Sequence, residues 1–249
     1  MVVRGNRTAW EMPVTELAWI PSAIPGYIPP AFVEPVYEGM KAQGEWVAKN
    51  ALSTLPAGPP TVRGAALYQQ REDRGIALVT AHWDSAAQHA ECISSEENRG
   101  AMRGVAPHAL AEGIRFFHVE GVRMFGRETL EMGLLSVVRI GVEGGEGQRV
   151  RVEGIWKTRA KGLVGGCAGV EHVAGWRVEK EEGREERDEF VVVGAWRDED
   201  ALSRFVDGIG LRRGQGMGEW KWENAAAWDE VWADVVVLEM DVKTYTRIA

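Results

Sequence analysis

Cysteine is nearly absent from this 249-residue chain: Cys92 and Cys167 are its only two, they lie far apart, and neither has a CxxC or CxxxC setting. That spacing excludes a disulfide framework and a zinc site, and both residues are expected to be free thiols. Apolar runs of about 18 residues are also missing, so no membrane-spanning helix is expected. The opening segment MVVRGNRTAWEMPVTELAW lacks the apolar stretch of a signal sequence, and the expectation is a cytoplasmic protein with no membrane partner. Positive charge is a third shortage. The formal net charge is −8, with acidic residues spread along the chain, and no basic stripe is left to neutralise phosphates, which excludes nucleic acid as a partner. P-loop, nucleophile-elbow, dinucleotide GxGxxG and HExxH patterns are absent too. Nothing in the sequence calls for a metal or a cofactor.

What is present is a core-forming composition, 45% apolar and 27% charged, with eleven tryptophans, and an internal repeat. Gly75–Ile93 (GIALVTAHWDSAAQHAECI) and Glu189–Val206 (EFVVVGAWRDEDALSRFV) each begin as a β-branched apolar run and close on a tryptophan. Each then meets a residue suited to N-capping and continues with helical spacing. Trp83 therefore aligns with Trp196. Extending outward from these anchors predicts strand 16–20, a Pro-rich loop, a helix over about 31–50 with the stripe Val33, Val36, Tyr37, Met40 and Val47, strands 65–70 and 76–83, a helix from near Ser85, and strand 114–120. The second half repeats this order. Strand 134–140, a helix through Val152, Ile155 and Trp156, strands 172–178 and 190–196, a helix from about Glu199 and strand 235–242 make it up. The halves are expected to span residues 1–122 and 123–249, with the third strand of each at a sheet edge. The run KEEGREERDE reads as a solvated hairpin with Gly183 near its apex.

Both faces of Ile76–Trp83 are largely apolar: Ile76, Leu78, Thr80 and His82 on one, Ala77, Val79, Ala81 and Trp83 on the other. An antiparallel sheet with helices on one side normally leaves its second face wet. The cheapest cover for a second apolar face is the matching sheet of the other half. The expected fold is α+β: two ferredoxin-like βαββαβ repeats forming a pseudo-dimeric α/β barrel.

The βαββαβ order, the tryptophan closing the third strand and the helix WDSAAQHAECISSEEN that follows resemble the dimeric α/β-barrel superfamily, and within it a tandem form of the antibiotic-biosynthesis-monooxygenase branch. The likeness is most specific over 65–102. It implies one of several activities, among them cofactor-independent oxygenation, haem degradation, and polyketide cyclisation or dehydration, or a stress-response barrel without catalysis. Haem degradation departs from the pattern here: the family's tryptophan and iron-ligating histidine fall at Cys92 and Met102, and His89, one helical turn before Cys92, is the one residue that could stand in.

Comparing the halves singles out titratable residues. His118 and Glu120, in RFFHVEG, align with Leu238 and Met240 in VVLEMDV; with Phe116 they share one strand face. A histidine beside a carboxylate suits general acid–base work. His82 is a further catalytic candidate, its counterpart being Ala195. Candidate substrate-binding residues are Trp83, Tyr68 with Gln70 beside it on one face, Phe116, and Tyr27 in the four-proline loop Pro21–Pro30, a possible pocket lid. His172, beside Glu171, is expected to be exposed, and Trp220, Trp222, Trp228 and Trp232 to form a core stripe. The residues point to a cofactor-independent small-molecule enzyme of monooxygenase, cyclase or dehydratase type, acting on an apolar, aromatic or polyketide-like ligand, with a homodimer as a possible assembly. The alternative is a non-catalytic ligand-binding or stress-response barrel.

Overall fold

A computed structural model describes residues 12–50, 54–160, 172–208, 211–213, 220–222, 235 and 237–249. The chain divides into two compact units, Met1–Glu131 together with Thr246–Ala249, and Met132–Tyr245. The first unit contains β1 (Val14–Pro21), α1 (Pro30–Asn50), β2 (Ala66–Gln70), β3 (Ile76–Trp83), α2 (Ala86–Ile93), α3 (Glu96–Val105), β4 (Arg115–Glu120) and a short α4 (Arg127–Glu131). The second contains β5 (Leu134–Glu143), α5 (Glu146–Ile155), β6 (His172–Trp176), β7 (Arg187–Trp196) and α6 (Glu199–Gly208). A small hairpin of β8 (Leu211–Arg213) and β9 (Trp220–Trp222) and the long β10 (Val237–Arg247) follow.

The strands of the first unit lie in the order β4-β1-β3-β2 and those of the second in the order β10-β5-β7-β6. Counted within each unit, both orders are 4-1-3-2, and each unit is a ferredoxin-like βαββαβ. The third strand is thus central, not at an edge as expected: β3 pairs with both β1 and β2, and β7 with both β5 and β6. A hairpin fixes the second strand beside the third, but only the helical crossover decides which of the two lies beside the first. The buried stripe of α1 also differs slightly from the expected one. Phe32, Val36, Met40 and Val47 are buried, while Val33 and Tyr37 are half-covered. Trp220 and Trp222 sit in a strand; Trp228, Trp232 and Cys167 lie outside the described residues.

The register confirms that the tryptophans are equivalent. Glu16 of β1 faces Ala81 of β3, and Ser136 of β5 faces Gly194 of β7; Trp83 and Trp196 each stand two residues further on. Each indole N–H donates to that first-strand residue, Trp83 to Glu16 Oε2 at 2.8 Å and Trp196 to Ser136 Oγ at 3.0 Å. His172, expected at the surface, is buried. It pairs with Gly194, where a Cβ would meet Ser136 Oγ at 2.8 Å and His172 Nε2 at 2.9 Å, so the missing side chain makes the room the imidazole occupies.

On the β3 face that carries His82, the chain itself supplies cover. Thr15 Oγ1 donates to Val122 O at 2.8 Å and accepts from Met124 N at 3.0 Å, and Phe125 N donates to His82 Nε2 at 3.0 Å. Met124 and Phe125 are consequently buried. Gly64, with φ +65°, lies against the imidazole, and a Cβ there would come within 2.5 Å of the ring.

Burial, with Arg123 and Arg63 adding to it, pushes the His82 imidazole down from 6.5 to about 4. Unfolded chains take up this proton near pH 6.5 and the folded protein does not until about pH 4, so stability is complete above pH 6.5 and falls between these limits, by about 3 kcal/mol in all. His82→Gln keeps an acceptor that does not titrate. Urea unfolding at pH 7.5, 5.5 and 4.5 should show a clearly shallower acid-side loss in this variant, and equal pH slopes would refute the assignment. Gly64→Ala should lose about 2–4 kcal/mol at any of these pH values.

Candidate active site

The opposite, helix-packed face of the first unit holds a buried polar cluster, and its geometry begins with the cap of α2. Ser85 Oγ accepts from Gln88 N at 3.1 Å, and the Gln88 side chain accepts from Asp84 N at 3.0 Å. These bonds start the helix directly after Trp83 and fix its rotation, so that Ala86, His89 and Cys92, three residues apart, are its buried positions. His89 therefore lands flat on Trp83, ring centroids 4.3 Å apart and planes 18° apart.

Three titratable side chains then meet. His89 Nδ1 lies 2.8 Å from His118 Nε2, and His89 Nε2 lies 3.4 Å from Glu16 Oε2, the oxygen that also accepts from Trp83. Glu16 and His118 face one another across the β1–β4 pair, which brings the carboxylate and the outer histidine onto one face. A carboxylate behind His89 favours the tautomer that carries its proton on Nε2, and in that tautomer Nδ1 accepts from His118 Nε2–H. The arrangement is a carboxylate–imidazole–imidazole relay running from the middle of the sheet to its β4 edge. Phe116, two residues before His118, packs edge-on against both histidines, at 5.4 and 5.8 Å, and is 42% exposed.

Above Trp83 stands a fourth polar group. Arg63 ends a 3₁₀ turn, Pro60–Arg63, and its guanidinium lies 4.7 Å from the centre of the indole ring. The cluster thus gathers a guanidinium and an imidazole on the Trp83 indole, with a carboxylate at the indole N–H. Cys92, also buried, has its thiol pushed up to about 12 by burial, and so stays protonated and unreactive at neutral pH.

The residues expected from the sequence fall into three groups. His118, Phe116 and Trp83 come together in this cluster, and Glu120 shares the His118 face, half-buried opposite Val14. His82, Tyr68 and Gln70 lie on the other face, as the register of Tyr68 with Leu78 and of His82 with Thr15 dictates. Tyr68 is wholly buried, its hydroxyl has no partner among the described residues, and burial pushes its phenol well above the usual range. Tyr27, 52% exposed, lines a separate open pocket of about 390 Å³ with Ile28, Pro30, Val33, Glu34, Gln69 and Ile248. Glu16, His89 and Arg63 were not anticipated. An acidic residue in the otherwise apolar strand ELAWI, where the second half has serine, is the signal that could have pointed to Glu16.

No set of three or more histidine, cysteine, aspartate or glutamate side chains suited to a metal occurs among the described residues. None of their helices is long and apolar enough to cross a membrane. No protein-family model and no curated protein matches the chain. Solved structures do. An anthrone oxidase-like protein superposes with a TM-score of 0.56 at 15% identity, covering 98% of this chain and 94% of its own. A monooxygenase candidate from Fusobacterium nucleatum gives 0.54 at 5% identity, covering 96% and 94%. Another from Lactobacillus acidophilus gives 0.50 at 11%, covering 95% and 94%. At these identities the likeness is one of fold. The strand order of both units and the match along nearly the whole length agree: the chain has a tandem ferredoxin-like α+β fold, the fold of these solved structures.

Proposed function

We propose that the first unit is the active half of a cofactor-independent enzyme of monooxygenase type, in which the Glu16–His89–His118 relay removes a proton from an aromatic or polyketide-like substrate. The observation that carries this reading is the 2.8 Å contact between His89 and His118 with Glu16 behind it. A carboxylate behind an imidazole chain stabilises the imidazolium formed when the outer ring takes a proton, and holds the ring in the tautomer that can take it. Removing a proton from a phenol, or from a carbon activated by an adjacent aromatic ketone, leaves an electron-rich anion able to give electrons to dioxygen. This is the chemistry suggested by the anthrone oxidase-like and monooxygenase-like neighbours. Phe116 offers an aromatic face beside the basic end of the relay, at the rim where the cluster meets solvent. Glu120, on the same strand face, and Trp83, which holds His89 by stacking, complete the set.

One observation favours a non-catalytic ligand-binding barrel. His118 is only 3% exposed, and a substrate must displace neighbouring side chains to reach it.

Oxygen uptake with 1,8-dihydroxyanthrone as probe, without added metal or cofactor, separates the two readings. Catalysis should exceed the buffer rate. His118→Gln should lower kcat roughly 100-fold with KM changed less than threefold, and Glu16→Gln roughly tenfold. Unchanged kcat in His118→Gln would end the acid–base assignment. Saturable binding of the probe without oxygen uptake would establish the ligand-binding alternative.

A further inference from the structure

Arg63 is 97% buried by the measure of its 3% exposure. Its surroundings satisfy little of it. Nη2 donates to the His82 carbonyl at 3.1 Å, and the ring of Trp83 lies under the guanidinium. Nη1 abuts the α1 backbone at Gly44, where a Cβ would lie 3.7 Å away. The buried Nε has no partner among the described residues, and the guanidinium forms no ion pair with any described carboxylate. The two nearest acids are engaged elsewhere. Glu16 serves Trp83 and His89, and Asp84 accepts from Thr54 and contacts Arg123. Burial accordingly works against the charge and lowers the group's affinity for its proton, though Cys92, Glu16 and Asp84 oppose this.

A buried guanidinium without an anionic partner is unfavourable by several kcal/mol, and a neutral side chain would fill the same volume more stably. Its planar fork is matched to oxyanions, which it can grip with two parallel bonds. We propose that Arg63 is the substrate's anion-binding residue, and that the ligand class of this site is an aromatic compound bearing an anionic oxygen, as carboxylate, phenolate or enolate. The proposal deepens the reading of the relay and rests on it for the location of the site.

Calorimetric titration with 1-naphthoate and its neutral isostere 1-naphthamide, at pH 8, tests this on the wild-type protein and on Arg63→Gln and Arg63→Lys. Wild type should bind naphthoate at least tenfold more tightly than naphthamide. Arg63→Gln should reduce that preference below twofold, and Arg63→Lys, which keeps the charge but loses the fork, should fall between. Equal affinities in wild type, absence of naphthoate binding, or an anion preference that survives in Arg63→Gln would each overturn the proposal, and the wild-type comparison holds even if a variant fails to fold. His118→Gln serves as the separating control. It should retain the naphthoate preference while losing turnover, so failure of the relay and failure of anion recognition give different results.

Discussion

A single buried carboxylate organises the first unit. Glu16 sits on an inner strand, where an ionised side chain is tolerated only if its oxygens are bonded and a positive partner is near. Its Oε2 accepts from Trp83 and faces His89. Those two rings must therefore lie together over the sheet, and they do so as a stacked pair. Once His89 is fixed by Glu16 on one nitrogen, its other nitrogen can only meet a donor, and β4 supplies His118 from the strand beside β1. The cap of α2 sets the helical rotation that makes this possible. Arg63 adds its guanidinium over the indole ring.

Much of this was legible in the sequence, and the limits have physical causes. The aligned tryptophans and the βαββαβ order could be read because hydrophobic periodicity and capping are local signals. The shared face of Phe116, His118 and Glu120 could be read because strand alternation is fixed by the pleat. Which strand lies beside which is a long-range matter, and it separates His82, Tyr68 and Gln70 from His118. Two strand residues of suitable chemistry can belong to opposite faces of one sheet, and only the register tells them apart. His89 was passed over because a polar residue on a short helix reads as surface until the helix rotation is known. His172 was misplaced because its burial depends on the glycine across the strand pair, Gly194.

The duplication also serves as an internal control. In the second unit the equivalent indole, Trp196, is buried to the same degree and its N–H is satisfied by the hydroxyl of Ser136 at 3.0 Å. A serine does that job with no charge to desolvate. The structural requirement of a tryptophan closing the third strand is thus met by a neutral acceptor within this same chain. The carboxylate at the equivalent position of the first unit goes beyond that requirement, and burying it is unfavourable.

Departures from the locally cheapest solution concentrate at working sites. Here three such departures fall on one face of one unit: an ionisable acceptor where a hydroxyl suffices, two histidines in contact below the surface, and an arginine whose Nε finds no acceptor among the described residues. Around Trp196 the described residues are less polar: Phe205 packs on the indole, Leu202 and Ala201 are buried nearby, and a single buried histidine, His172, meets the ring edge at 5.0 Å. What differs between the copies is charge: the second indole is served by a hydroxyl and one histidine, the first by a carboxylate, a guanidinium and a histidine that meets another histidine. On the reading proposed above, that difference in charge is what separates a half fitted for chemistry from a half fitted for architecture.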